Sequence, residues 1–197
     1  MNQIGHRLII EGVELAGKSS ITHQIYDFLE KKYNTSGHIL DGCHWINADI
    51  NVFGTELGKD MINLYIKMGE LLHSCGKNVI FEKFHISDQA YNLFHNNKII
   101  DYEREEERLM KLDTKIILCT VNPDPEIFKS RLEDRLSHPG YFHYHRLAKE
   151  PTDYIDLQEK YIELCEKSKL PVLMVDLSVL PNHEVVKEIL SWLGETN

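Results

Sequence analysis

Residues 12–19 read Gly12-Val13-Glu14-Leu15-Ala16-Gly17-Lys18-Ser19 and fit the pattern G-x-x-x-x-G-K-[S/T]. The pattern fixes two glycines, a lysine and a hydroxyl residue, and a chance match in a chain of this size arises roughly once in a hundred. Its setting is the one the pattern needs. An apolar run at 7–13 (RLIIEGV) precedes it, and 19–33 follows with Ile21, Ile25, Phe28 and Leu29 at helical spacing. A strand, a glycine turn and a helix N-terminus are therefore expected in sequence. Glycines let such a turn curl its N–H groups inward, and the helix adds the positive end of its dipole. A phosphate group is the natural occupant of that cup.

The residues assign themselves roles within it. Gly12, Val13, Glu14, Leu15, Ala16, Gly17, Lys18, Ser19 and Ser20 are the expected nucleotide contacts, with ATP as the ligand. Lys18 is expected to reach the β- and γ-phosphates and the Ser19 hydroxyl to ligate Mg²⁺.

Outward from the loop, short apolar runs alternate with longer amphipathic stretches. Strands are expected at 7–13, 37–40, 78–81, 115–121 and 171–176, and helices at 19–33, 55–74, 87–94, 102–112, 126–135, 153–168 and 182–193. The runs are continuous rather than alternating, as in a parallel sheet covered on both faces. The fold class expected is α/β: a three-layer P-loop NTPase fold, with a five-stranded parallel sheet, helices on both faces and a mobile lid. With 197 residues and no repeat or linker, one domain over 1–197 is expected, its lid at about 134–150.

Composition narrows the classes. A formal net charge of -9 argues against a duplex nucleic-acid binder, which ordinarily carries a basic face. The widely spaced Cys43, Cys75, Cys119 and Cys165 form no zinc pattern and read as small buried hydrophobes in a reducing compartment. No apolar stretch approaches the ~20 residues of a membrane span, and no secretory leader is evident, so a cytoplasmic protein is expected. A switch GTPase would need a base-reading N-K-x-D after a strand, which Asn122-Pro123-Asp124 does not provide. A catalytically dead nucleotide-binding regulator stays open, although Lys18 and Ser19 are both present.

Several stretches together resemble the thymidylate kinase and deoxynucleoside kinase group. They are Ile10-Glu11-Gly12 with the acidic Glu14, Gly54-Thr55-Glu56-Leu57-Gly58 (similar to G-T-x-x-G), VIFEKFHISDQAY at 79–91, and Asn122-Pro123-Asp124-Pro125-Glu126 followed by Arg131 and Arg135. The resemblance covers nearly the whole chain and implies roles. Glu82 would assist Mg²⁺ or contact the acceptor, and Lys83, standing where relatives carry Arg, would touch the acceptor oxygen or phosphate. Arg131 and Arg135, one helical turn apart, would close on the transferring phosphoryl group, with Arg146 a further candidate. Asp41, Trp45, Phe84, Tyr91 and Glu14 would line the acceptor pocket, the two rings by stacking on a base. His138, Tyr141, Phe142, His143, Tyr144 and His145 would belong to the lid. The charged run 103–108 reads as a solvated face.

Two acceptors remain open. The G-T-x-x-G and S-x-x-A-Y matches place dTMP first. Between Gly42 and Gly58, however, there is no Arg or Lys to hold a monophosphate, with Lys59 and Lys67 as substitutes, and Asp41 near Trp45 leans toward a nucleoside hydroxyl. The expected partners are a small nucleotide or nucleoside and, by analogy with such kinases, a second copy in a homodimer. No membrane is expected.

Overall fold

The computed structural model describes residues 5–137, 150–179 and 183–195. Five strands form one parallel sheet in the order β2-β3-β1-β4-β5: β1 Arg7–Glu11, β2 Cys43–Asn47, β3 Asn78–Glu82, β4 Thr114–Thr120 and β5 Val172–Asp176. The helices among the described residues are α1 Lys18–Tyr33, α2 Gly58–Ser74, α3 His85–Asn96, α4 Glu103–Met110, α5 Pro125–Ser137, α6 Pro151–Lys167 and α7 His183–Trp192. This is the three-layer P-loop NTPase fold.

The three central strands bury nearly every side chain, which is why they read as unbroken apolar runs: Leu8, Ile9, Ile10, Val79, Ile80, Ile116, Ile117 and Leu118 are fully buried. Removal of each such side chain from water contributes about 1.5–3 kcal/mol. The rim strands differ. In β2 burial alternates along Cys43-His44-Trp45-Ile46-Asn47, and β5 is only partly covered.

From β1 at the centre of the sheet the chain goes out to β2 at one edge, returns to β3 between the two, then crosses to β4 and β5 on the other side. The reversal lies where β1 meets its neighbours, and the crevice beyond the carboxyl ends of the strands there is the ligand position in such sheets. Register fixes which residues reach it. Ile10 pairs with Glu82, Asn47 pairs with Glu82 from the other side, and Glu11 pairs with Leu118.

Four expectations are corrected here. Residues 37–40 form no strand, 36–39 being bends, and the second strand runs over Cys43–Asn47 instead; the apolar pair Ile39 and Leu40 that suggested a strand is exposed. The charged run is not wholly solvated. Glu105 and Glu106 are buried, and Glu106 accepts bonds from Ser168 Oγ at 2.6 Å and the Lys169 N–H at 2.9 Å, beside His85 Nε2 at 3.1 Å. Cys43, Cys119 and Cys165 are buried as expected, but Cys75, just past the end of α2, is exposed. Finally, Leu57, Leu64 and Leu71, read as apolar positions of the second helix, stand in solvent.

Candidate active site

The loop between β1 and α1 takes the shape its glycines permit. Gly12 has φ 135° and Gly17 φ 86°, both in the region that favours glycine. Gly12 is further constrained by β4, because a Cβ there would sit 2.3 Å from the Cys119 carbonyl oxygen. Leu15 also has positive φ, at 69°, and Ala16 N–H bonds back to the Val13 carbonyl at 3.3 Å. Lys18 turns into the cup, its ammonium donating to the carbonyls of Gly12 at 2.7 Å and Val13 at 2.6 Å. Burial, with the charge of Lys83 behind it, holds the Lys18 pKa below the ordinary lysine value against the opposing pull of Glu14.

Ser19 and Glu82 meet. The Ser19 hydroxyl donates to Oε1 of Glu82 at 2.8 Å, and the Trp45 indole N–H donates to Oε2 at 3.1 Å. Two hard oxygen donors thus lie together at the first turn of α1, a donor set that fits Mg²⁺. Among the described residues no group of three or more His, Cys, Asp or Glu is arranged to hold a metal. A Mg²⁺ here would accordingly take most of its ligands from phosphate oxygens and water, which is its habit in phosphotransferases.

On the acceptor side, Lys83 follows β3 with φ 59°, a conformation rare for a side-chain-bearing residue. Its ammonium lies 3.2 Å from Asp49 Oδ2 and 3.9 Å from Glu14 Oε1. All three side chains are largely buried. The Tyr91 hydroxyl donates to the same Glu14 oxygen, and the Tyr91 ring stacks on His95 with centroids 5.7 Å apart. Glu14, Lys83, Asp49 and Tyr91 therefore form one connected polar wall drawn from four segments.

Two buried carboxylates hold that wall in place. Glu11, fully buried, accepts from the Phe84 N–H at 3.0 Å, the Ser87 N–H at 3.3 Å and Ser87 Oγ at 2.5 Å, which caps α3 from across the sheet. Burial pushes its pKa up, resisted by Ser87 and the nearby His85. Asp88 accepts from the Gly54 N–H at 2.8 Å and the Tyr102 hydroxyl at 2.8 Å. A Cβ on Gly58 would meet Asp88 Oδ1 at 2.2 Å. Both glycines of Gly54-Thr55-Glu56-Leu57-Gly58 thus answer to one carboxylate: the first supplies its amide and the second lets α2 approach.

Arg131 reaches back to the loop from α5, donating to the Leu15 carbonyl at 2.8 Å and to the Leu177 carbonyl at 2.5 Å. It ties the loop after β5 to the phosphate loop; burial lowers its pKa, opposed by the charge of Asp176. Arg135, one turn on, is exposed. Arg146, the His/Tyr-rich stretch and most of the expected lid at 134–150 lie outside the described residues. Ser20 follows Ser19 in α1 and is exposed.

Two expected acceptor residues are elsewhere. Asp41 precedes β2 and so falls at the amino edge of the sheet, where it takes Lys77 Nζ at 2.8 Å and the Thr35 N–H at 3.0 Å. That engagement, Lys77 first, holds its carboxyl well below the usual range. The misplacement follows from expecting the second strand at 37–40, ahead of its place at Cys43–Asn47. Phe84 is fully buried against Phe81, centroids 4.8 Å apart, and packs the core instead of a base. Trp45 is exposed, beside Glu82 and Tyr26. Asp49 was not among the sequence candidates. The signal that finds it is the register Asn47–Glu82, which puts Asp49 two residues past the carboxyl edge.

No protein-family model matches the chain, and no curated protein matches it. Solved structures do. The YorR protein from Bacillus subtilis, in complex with phosphorylated GDP, is 19% identical with a TM-score of 0.65, covering 95% of each chain. A deoxyadenosine kinase from M. mycoides with bound dATP is 16% identical with a TM-score of 0.54, over 96% of this chain and 100% of the other. A shikimate kinase from Bacteroides thetaiotaomicron is 13% identical with a TM-score of 0.53, over 96% and 98%. At these identities the likeness is one of fold.

Proposed function

We propose that this chain is a kinase that transfers the γ-phosphoryl group of ATP to a hydroxyl of a small molecule, with a nucleoside as the first candidate. The observation that carries this reading is the position of Lys83 between Asp49 and Glu14. The one lysine of the acceptor wall is already engaged by two carboxylates. A monophosphate acceptor would bring further negative charge toward them, whereas a hydroxyl needs an acid-base partner, and Asp49 is one. Sharing a fold with a deoxyadenosine kinase supports the nucleoside class, and sharing it with a shikimate kinase supports hydroxyl acceptors more broadly.

In this reading the amides of residues 12–19 and the Lys18 ammonium hold the triphosphate tail. Ser19 and Glu82 would hold Mg²⁺, which supplies charge neutralisation at the β- and γ-phosphates. Asp49 accepts the proton of the acceptor hydroxyl as its oxygen bonds to the γ-phosphorus. The bond from that phosphorus to the β–γ bridging oxygen breaks, and ADP departs. Lys83 and Tyr91 orient the carboxylates of the wall, and Arg131 holds the phosphate loop against the loop after β5. Arg135 stands one turn further along α5 and would close on the transferring group.

The test is a panel of nucleosides and their 5′-monophosphates with Mg·ATP, read by ADP release and product mass, with thymidine and dTMP side by side. Phosphorylated nucleosides support the proposal. Transfer to dTMP with none to any nucleoside would replace it with the thymidylate reading, and no transfer to any acceptor would favour a nucleotide-binding regulator.

A further inference from the structure

Lys83 stands where the acceptor wall meets the phosphate loop, and β1 catches its backbone on both sides. Its own N–H donates to the Ile10 carbonyl at 2.9 Å, and the next N–H, that of Phe84, donates to Glu11 Oε1 at 3.0 Å. Ile10 and Glu11 lead directly into Gly12. A φ of 59° is costly for a residue with a side chain and persists only where the surroundings over-determine it. The Glu11 carboxylate is one of those surroundings. It is fully buried, so it depends on donors of its own.

One of those donors is anchored from a distant helix. Ser87 Oγ donates to Glu11 Oε2 at 2.5 Å, and the Tyr161 hydroxyl of α6 donates to Ser87 Oγ at 3.0 Å. Ser87 and Tyr161 are both buried. Gln158, one turn earlier on the same face of α6, clamps the backbone just past β4: it takes the Val121 N–H at 2.8 Å and donates to the Val121 carbonyl at 2.7 Å. Two buried side chains thus fix α6 against the end of β4 and the start of α3. The Tyr161 hydroxyl also lies close behind the acceptor wall. Burial first, then the neighbouring Tyr91, Glu11 and Glu14, push its pKa well above the ordinary tyrosine value.

We propose that Tyr161 and Ser87 are positioning residues of the transfer site: the chain Tyr161–Ser87–Glu11 fixes the Phe84 amide, and with it the positive-φ conformation that aims Lys83 at Asp49 and Glu14. This rests on the reading of Lys83 as the cation of the acceptor wall. The bonds all run one way, each hydroxyl donating toward the carboxylate, so each strengthens the next. Without the Ser87 hydroxyl, Glu11 stays buried but loses a short bond, and its grip on the Phe84 N–H slackens. Acceptor handling suffers first, because the phosphate loop is held separately by its glycines and by Arg131.

Ser87→Ala, Tyr161→Phe and the double variant test the chain on two readouts. Hydrogen exchange of the Phe84 amide, followed by NMR, needs no substrate; steady-state kinetics use Mg·ATP and the acceptor found in the nucleoside panel. Ser87→Ala is expected to speed Phe84 exchange by about 5- to 10-fold. It is expected to lower kcat/KM for the acceptor by about 10- to 100-fold, with KM for ATP unchanged. Tyr161→Phe, which keeps the ring in place, is expected to move both readouts the same way. The double variant should lose less than the product of the two, since both changes cut one chain. Wild-type exchange at Phe84 in Ser87→Ala overturns the proposal. So does faster exchange with acceptor kcat/KM unchanged, or an equal loss toward ATP and acceptor. A protein that phosphorylates no acceptor fails the kinase reading instead, and the exchange readout still decides whether the chain holds the backbone at Lys83.

Discussion

The Ser19 hydroxyl donates to Glu82 at 2.8 Å, joining the first turn of α1 to the last residue of β3. The other oxygen of the same carboxylate holds the Trp45 indole at 3.1 Å. A cation recruited to Ser19 and Glu82 draws on the carboxylate that Trp45 touches. In a Trp192→Phe background Trp45 is the sole tryptophan. Its emission is expected to change on titration with Mg·ATP, and to respond far less in the Glu82→Gln protein; fluorescence titration checks both.

Lys18→Ala removes the ammonium that enters the phosphate cup. A single preorganised donor of this kind is worth about 10²–10³ in kcat. Turnover is expected to fall by at least that factor, and ATP should lose most of its protective effect in a thermal-shift assay. Transfer persisting at wild-type rate would show that the phosphates bind elsewhere.

Asp49→Asn keeps the size and one acceptor oxygen, but removes the proton acceptor and the negative charge that faces Lys83. Nucleoside phosphorylation is expected to drop by about 10²–10⁴ in kcat, with ATP affinity within a few-fold of wild type. Equal kcat in wild type and variant would remove Asp49 from the chemistry.

Gly58→Ala forces a Cβ into contact with Asp88, at 2.2 Å in the unrelaxed geometry. Overpacking against a buried group costs about 1–3 kcal/mol, read by urea denaturation. Asp88→Ala is destabilising on its own, because the Gly54 amide and Tyr102 hydroxyl lose their acceptor. The double variant is expected to lose less than the sum of the two, since the clash disappears with the carboxylate.

Glu195 anchors the end of the chain's last helix to α1. Burial tends to raise its pKa, but hydrogen bonds from Lys32, Tyr33 and His6 prevail and hold it below the ordinary glutamate value. A group depressed in the folded state stabilises above its unfolded pKa of about 4.3 and loses that contribution as pH falls through the folded value. Glu195→Gln should therefore lower stability by about 1–3 kcal/mol at pH 7. The gap should close as pH is lowered below about 4, as calorimetric melting at several pH values would reveal.

The central strands and the phosphate loop were legible because each residue there serves one demand. Burial on both faces leaves only apolar side chains in β1, β3 and β4, and the turn at Gly12 and Gly17 leaves only glycine. The rim strand was not legible. In β2 the residues His44, Trp45 and Asn47 are only partly covered, so Cys43–Asn47 carries no apolar run, while the exposed pair Ile39 and Leu40 imitates one. That single displacement sent Asp41 to the site and hid Asp49. The burial of Glu105 and Glu106 was equally hidden, because the partners Lys59, His85, Ser168 and Lys169 come from distant segments.

The Asp41–Lys77 clip and the Asn78 amide on the Gly42 carbonyl at 2.7 Å fasten the sheet at its amino edge, while the candidate site residues gather beyond its carboxyl edge. The molecule thereby divides labour between two rims. Substitutions that firm up the clip can raise the melting temperature without retuning turnover. Changes to acceptor preference can be made around residues 49, 83 and 91 without loosening the frame that carries them.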